Sequence, residues 1–139
     1  MVRDAGTILQ DGTKRRSGIL VIEDEALLAS SIKDILEESG FSVAVASSGP
    51  EALSLAFADP PDLALIDIRL AGPMNGIEVA AKLRERLGVP SIFLSGATDP
   101  SILERAKLAR PVGFLRKPFC PSQVFNAIER ALGDGSTAR

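Results

Sequence analysis

Polar and charged residues follow several short apolar runs of this chain, at positions where they could share one chemical task. Glu23, Asp24 and Glu25 follow the first apolar run, and Asp67 follows the third. A hydroxyl and an ammonium group come after the fourth and fifth runs, at Ser95 and Lys117. If these runs are neighbouring parallel strands, the side chains meet at one edge of a sheet.

Crowded carboxylates repel one another, and without a cation at least one of them takes up a proton. The chain has no His and one cysteine, Cys120, which excludes imidazole ligands and paired thiolates. Oxygen ligands alone favour the hard ions Mg²⁺ or Mn²⁺, and Mg²⁺ commonly shares a few carboxylates with a phosphate. The residue types therefore predict Mg²⁺-dependent phosphoryl chemistry.

Several other activities are excluded by the same residues. Without His there is no Ser-His-Asp triad and no His general base. A dinucleotide site needs glycines after the first strand, where this chain has acids that repel a phosphate, and no GxxxxGK[ST] motif exists for a P-loop.

Length and charge indicate the broad class of protein. The 139 residues suit one domain with a real core, and 16 Lys and Arg against 18 Asp and Glu give a net charge of −2. The acidic balance argues against direct nucleic-acid binding. No apolar run reaches the roughly 18 residues of a membrane span, and the N-terminus lacks a signal-peptide core, so we expect a cytoplasmic protein without membrane contact.

The elements that must position the site are five strand-helix units. Because none of the apolar runs alternates with polar residues, they predict strands buried on both faces of a parallel sheet, with helices covering both sides. Right-handed crossovers then give an α/β fold with a doubly wound five-stranded sheet. The predicted strands are 19–22, 43–46, 63–66, 92–94 and 112–115, and the main helices lie between them and after the last.

We expect three segments along the chain. Residues 1–17 are polar, end in the basic cluster from Lys14 to Arg16, and predict a flexible arm. Residues 18–132 form the domain. Residues 133–139 are predicted to be a C-terminal tail, too short to hold an output module.

The ordered set of motifs resembles the receiver domain of two-component response regulators, a flavodoxin-like (βα)5 fold. The motifs are ILVIEDE, LALIDIRLAGPMNG, SIFLSGA and GFLRKPF, and the resemblance covers roughly residues 18 to 132. The spacings also match: 43 residues separate Asp24 from Asp67, 28 more lead to Ser95, and 22 more to Lys117.

The resemblance implies a role for each of these residues. Asp67 would accept a phosphoryl group from a phosphohistidine, while Lys117 pairs with the phosphoryl oxygens and Ser95 bonds the attached group. The metal would be held by Glu23, Asp24, Asp67 and the backbone carbonyl of Arg69. Pro118 would follow a cis peptide bond that aims the lysine.

The resemblance also implies an output. Ser95 and Phe114 would act as switch residues that alter the face of the fourth helix, fifth strand and fifth helix. That face would bind a downstream target or a second copy, and the phosphoryl donor would be a sensor histidine kinase or a histidine phosphotransferase. Three positions depart from the common pattern: Glu23 replaces an aspartate, Phe114 replaces a tyrosine, and the loop after Asp67 is one residue longer and lacks its usual proline.

Three alternatives remain at this stage. One is a small Mg²⁺-dependent phosphohydrolase, which usually carries a second aspartate two residues after its nucleophile, where this chain has Arg69. Another is a phosphate sink or phosphorelay intermediate. The last is a receiver-like binding module that is never phosphorylated. The resemblance favours a switch that acts only on its own phosphorylation state and is not an enzyme in the usual sense.

Overall fold

The computed structural model describes residues 6–8, 14–96 and 100–137. Seven strands and five helices lie in this part of the chain. The strands are β1 (Gly6–Ile8), β2 (Lys14–Arg16), β3 (Gly18–Ile22), β4 (Ser42–Ala46), β5 (Leu63–Asp67), β6 (Ser91–Ser95) and β7 (Gly113–Arg116). The helices are α1 (Ala26–Glu38), α2 (Gly49–Ala58), α3 (Gly76–Leu87), α4 (Pro100–Leu108) and α5 (Pro121–Thr137).

The central sheet has the order β4-β3-β5-β6-β7, and all of its pairings are parallel. One core layer joins the sheet to α1 and α5 through residues such as Ile32 and Ile128, and the other joins it to α2, α3 and α4 through residues such as Ala52 and Ala106. The predicted doubly wound α/β fold is confirmed. Its direction reverses between β3 and β5, which places a crevice at their carboxyl ends.

Burial differs between the middle and the edges of this sheet. Every residue of β5 and β6 is buried, as the uninterrupted apolar runs predict. The same prediction is wrong for β4 and β7, where Ala44 and Phe114 are exposed. These two strands lie at the sheet edges, so each has only one neighbouring strand and its helices cover it incompletely.

Local sequence signals determine where the helices flanking the site begin and end. The side chain of Ser48 accepts a hydrogen bond from the backbone N–H of Glu51 at 3.3 Å and so caps the N-terminus of α2. Asn75 and Glu78 form a reciprocal capping box at the start of α3. Helix α3 ends at Gly88, whose φ of 68° is left-handed and favours glycine.

The chain ends differ from the sequence prediction in two respects. Within the predicted flexible arm, β1 pairs with β2 as an antiparallel ladder, while residues 1–5 and 9–13 lie outside the described part. Helix α5 continues to Thr137 and so includes residues 133–137 of the predicted tail. Glycines at 133 and 135 lower helix propensity by only about 1 kcal/mol each and do not break a helix already in progress.

Candidate phosphoryl and metal site

The predicted acids meet at the crevice between β3 and β5. Glu23 and Asp24 follow β3, Asp67 is the last residue of β5, and one carboxylate oxygen from each lies within 4.8 Å of the others. Glu23 is only 1% exposed and Asp67 7% exposed, whereas Asp24 is exposed. The sheet thus brings Asp24 and Asp67, which are 43 residues apart in the chain, into one cluster with Glu23. Two members of this cluster are buried, and the third is exposed to solvent.

Lys117 reaches into this cluster from the loop after β7. Its Nζ donates to Oε1 of Glu23 at 3.0 Å and to Oδ2 of Asp67 at 3.3 Å. The side chain is 24% exposed, so these ion pairs are partly shielded from water. The ammonium group therefore contacts the carboxylate that the resemblance implies as the phosphoryl acceptor.

Burial and ion pairing have opposite effects on the pKa of Glu23, and also on the pKa of Lys117. Burial raises the pKa of Glu23 to about 7, although the Lys117 ammonium and the backbone N–H of Glu25 act to lower it. For Lys117, burial acts to lower the pKa, but the hydrogen bond to Glu23 and the charges of Asp67 and Glu23 outweigh it and raise the pKa overall. Lys117 therefore stays charged near neutral pH, while Glu23 is close to its midpoint when no cation is bound.

The loop after β5 holds the Asp67 carboxylate from the other side. The backbone N–H of Arg69 donates to Oδ1 of Asp67 at 2.9 Å. Each oxygen of this carboxylate thus accepts a hydrogen bond, Oδ1 from an amide and Oδ2 from the Lys117 ammonium. The role of the Arg69 carbonyl as a metal ligand remains a prediction.

Asp24 fastens the same loop to the end of β3. Its Oδ2 accepts a hydrogen bond from the backbone N–H of Ala71 at 3.0 Å. Gly72 follows with a φ of 103°, a left-handed conformation that glycine adopts without strain. Asp24 and Gly72 thus both shape the loop that follows β5.

The remaining predicted residues lie on the neighbouring strands. Ser95 is buried at the end of β6, and its backbone carbonyl accepts the N–H of Lys117 at 2.8 Å. The Lys117–Pro118 peptide bond is cis, the isomer that the resemblance implies. Phe114 is 44% exposed on the edge strand, and its ring lies 5.8 Å from that of Phe93, centroid to centroid.

Sequence reasoning missed Gly76, the first residue of α3. A Cβ at this position would overlap the carbonyl oxygen of Asp67 and lie 2.9 Å from the Cα of Ile68. The N–H of Gly76 also donates to the carbonyl of Ile68 at 3.1 Å. The start of α3 therefore packs directly on the backbone of the predicted acceptor, and an Asn-Gly pair after the loop was the only signal in the sequence.

The donor set fits a small hard cation. The cluster offers only carboxylate oxygens, and two of its three carboxylates are buried. Among the described residues, one ammonium group, that of Lys117, forms ion pairs with it. Buried carboxylates that outnumber their cationic partners favour binding of a divalent ion. Glu23, Asp24 and Asp67 are the residues that would hold it.

Comparison with known proteins agrees with this geometry. The family model of the response regulator receiver domain matches residues 19–129. This chain belongs to that family. It is therefore a signalling domain of the two-component type, and the family resemblance found in the sequence is confirmed.

Curated relatives of this receiver domain are longer proteins. The transcriptional regulatory protein PdtaR of Mycobacterium tuberculosis is 33% identical over 115 residues, which are 82% of this chain and 56% of that protein. The DNA-binding response regulator MtrA of Mycolicibacterium paratuberculosis is 35% identical over 117 residues, or 84% of this chain and 52% of that protein. The chain thus spans about half the length of the curated relatives it matches.

Solved structures share the fold at full domain length. The signal receiver domain of a modulated diguanylate cyclase from Desulfovibrio desulfuricans superposes with a TM-score of 0.82 at 35% identity, covering 88% of this chain and 98% of that one. A CheY-like receiver domain from Methanospirillum hungatei gives 0.82 at 27% identity with the same coverage. Among the described residues, no helix of this receiver domain has the length and apolar character needed to cross a membrane.

Proposed function

We propose that this receiver domain is a phosphorylation-activated switch in which Asp67 accepts a phosphoryl group from the phosphohistidine of a histidine kinase or histidine phosphotransferase. The observation that carries the proposal is the placement of the Asp67 carboxylate, which lies 3.3 Å from the Lys117 ammonium and within 4.8 Å of the oxygens of Glu23 and Asp24. A single nucleophile is thereby surrounded by the charges that phosphoryl transfer needs.

In the proposed reaction, a carboxylate oxygen of Asp67 attacks phosphorus in line with the leaving imidazole. The new P–O bond forms as the P–N bond breaks, and the histidine ring leaves with its electron pair and takes a proton from solvent. Asp67 needs no general base because a carboxylate is already ionised. This explains how a chain without His can carry out the chemistry.

Lys117 and the acids make separate contributions to neutralising the charge of the phosphoryl group. The Lys117 ammonium is close enough to pair with the phosphoryl oxygens once they reach Asp67, because it already contacts Oδ2. When bound by Glu23, Asp24 and Asp67, Mg²⁺ supplies the charge neutralisation that the transferring phosphoryl group requires. The N–H of Arg69 holds the other oxygen of Asp67 and fixes the direction of the carboxylate.

The proposed output is a change in the surface formed by α4, β7 and α5. Ser95 lies at the end of β6, the strand next to that of Asp67, and in this proposal its hydroxyl bonds the attached phosphoryl group. Its movement would bias Phe114 and the neighbouring α4, since both Ser95 and Phe114 line one groove against that helix. The altered surface would then bind a downstream target.

The test is phosphorylation by acetyl phosphate with Mg²⁺, followed by intact-mass spectrometry. We expect one added phosphoryl group on the wild-type chain and none on D67N. The matched control is D34N, which removes an exposed carboxylate of α1 and should be phosphorylated normally. An unmodified wild-type protein that is folded and saturated with Mg²⁺, or an adduct that persists in D67N, would contradict the proposal.

A further inference from the structure

Strand β4 forms one edge of the central sheet, and β3 is its neighbour on the other side. The backbone N–H of Ser42 donates to the carbonyl of Ser17 at 2.9 Å. At the other end of the strand, the carbonyl of Ala46 accepts the N–H of Glu23 at 3.0 Å. The first and last residues of β4 therefore direct their backbone groups towards the inside of the sheet.

The residues between them present hydrogen-bonding groups at the open edge. The direction of the backbone groups alternates along a strand, so Val43 and Val45 direct their N–H and C=O groups away from β3. Among the described residues, no backbone partner of these four groups is found. Both valine side chains pack against the core layer of α1 and α5, which holds the strand in place. A fixed strand with an open edge is a template for pairing with another chain.

The two edges of the sheet differ in how well their sequences prevent such pairing. Residues 40–48, which contain β4, include no charged residue and no proline. The opposite edge strand, β7, ends in Arg116 and is followed by Lys117 and Pro118. Charged residues and proline are common means of protecting a sheet edge. The β4 edge is therefore the more open of the two to strand addition.

We propose that two copies of this chain associate through β4, with their strands antiparallel about a two-fold axis at Ala44. In this register Val43 of each copy faces Val45 of the other, and each facing pair exchanges two hydrogen bonds. All eight outward-directed groups of the two copies are then paired. Ala44 lies opposite its own counterpart, where the Cα atoms of such a pair approach to about 4.5 Å and a small side chain fits.

The surrounding residues select this register. Residues 40–48 of one copy lie along the same residues of the other, so no like charges are opposed. A shift by two residues in either direction would need the N–H of Phe41 or of Ser47. The first already donates to the carbonyl of Leu36 at 3.1 Å, and the second to Oε1 of Glu51 at 2.7 Å. Only the pairing about Ala44 therefore uses every outward-directed group.

Apolar surface near β4 adds to the strand pairing. A second groove, of about 640 Å³, lies between β4 and α2, and its lining includes Val43, Ala44 and Leu55. Leu55 is 36% exposed and Phe57, also on α2, is 50% exposed. Because the two-fold axis is perpendicular to the sheet, the α2 helices of both copies lie on the same side of the joined sheet. Exposed apolar groups of both copies are thus near the contact, as expected of a protein-binding surface.

Sedimentation equilibrium of the full chain tests the proposal. We expect a reversible monomer–dimer equilibrium for the wild type. A44K and A44E should each weaken dimerisation at least about tenfold, because the axis places two like charges opposite each other. An equimolar mixture of A44K and A44E should dimerise again, since opposite charges then face each other. Ala44 is exposed, so circular dichroism and urea unfolding of both variants should match the wild type.

The matched control is N126K, which adds the same charge at an exposed position of α5 and should leave dimerisation unchanged. A wild-type chain that stays monomeric at about 0.5 mM would overturn the proposal. A mixture of A44K and A44E that stays monomeric would overturn it as well. Dissociation by N126K but not by A44K would place the contact at the opposite edge of the sheet and exclude β4.

The proposed dimer goes beyond the proposed function and does not depend on it. D67N, which cannot accept the phosphoryl group, should dimerise as strongly as the wild type. If the wild type accepts no phosphoryl group while A44K, A44E and their mixture behave as expected, the proposed function fails and the dimer stands. If phosphorylation is normal and the wild type is monomeric, the dimer fails and the proposed function stands.

Discussion

At the scale of single residues, the site depends on how one ammonium group is shared between two carboxylates. Lys117 contacts both Glu23 and Asp67, at 3.0 and 3.3 Å, although Glu23 is almost completely buried. A buried carboxylate without a partner is costly, so the lysine stabilises Glu23 as well as preparing Asp67. Removal of the lysine therefore affects both carboxylates at once.

We expect K117A to slow phosphorylation by acetyl phosphate about 10- to 100-fold, because a hydrogen bond between charged groups contributes about 1.5–3 kcal/mol. Binding of Mg²⁺ should persist, since the three carboxylates remain. Calorimetric titration with Mg²⁺ and the rate of phosphorylation check the two effects. The control is K33A, which removes an exposed lysine paired with Glu37 on α1. Loss of metal binding in K117A would assign the lysine a structural role in the cluster.

The ionisation of Glu23 gives a second prediction at this scale. Its pKa is raised from 4.5 to about 7, so the folded state holds a proton that the unfolded state has already lost between these values. The stabilising contribution of the protonated form is complete below about pH 4.5 and is lost as the pH rises through about 7. In the presence of a chelator, the free energy of unfolding should therefore fall across this window.

Urea unfolding of the wild type and E23Q at about pH 5 and about pH 8 checks this expectation. The glutamine cannot ionise, so the wild type should lose stability relative to E23Q at the higher pH. Lys117 keeps its charge over the whole window because its pKa is raised. A difference between the two proteins that does not change with pH would show that Glu23 titrates at its ordinary value.

At the scale of elements, the position of Asp67 depends on how closely α3 approaches β5. Gly76 begins α3 against the backbone of Asp67 and Ile68, where a methyl group has no space. The capping box of Asn75 and Glu78 fixes the same end of the helix. Strand β5 and helix α3 therefore hold the acceptor loop between them as one unit.

G76A should lower the free energy of unfolding by about 2 kcal/mol or more, because the added methyl group must displace backbone atoms. Urea unfolding measures the loss. G18A is the matched comparison, since a Cβ at Gly18 would meet nothing nearer than 3.7 Å, and should cost less than about 1 kcal/mol. Equal losses in the two variants would mean that close packing on the backbone of Asp67 does not determine the need for glycine at 76.

At the scale of the whole molecule, folding assembles an acidic cluster that the unfolded chain does not possess. The three acids come from the ends of two strands that are neighbours in the sheet but separated by β4 and two helices along the chain. A cation that binds only this folded arrangement must stabilise it.

The melting temperature should therefore rise with Mg²⁺ concentration in the wild type and rise much less in D24N. A ligand present at a hundredfold excess over its dissociation constant adds about 2.7 kcal/mol of stability. Differential scanning calorimetry in a chelator and at several Mg²⁺ concentrations measures the effect. The control is D59N, an exposed acid at the end of α2 that lies outside the cluster and should leave the Mg²⁺ response intact. A similar loss in both variants would indicate general charge screening.

Sequence alone determined the fold class and the chemistry of the site. Continuous apolar runs marked the buried strands, and the acids, hydroxyl and lysine at their ends followed because parallel strands bring their carboxyl ends to one edge. Helix ends such as those at Ser48 and Gly88 are also local features, since capping depends on neighbouring residues alone.

Only the tertiary structure decided the features that depend on residues far apart in the chain. These include the exposure of β4 and β7, the contact between Gly76 and Asp67, and the partition of Lys117 between two carboxylates. Strand order determines which apolar run lies at an edge, and the approach of helix to strand determines where a Cβ fits. The groove that Ser95 and Phe114 line belongs with these features, because α4 and β7 form it only after the sheet places them side by side.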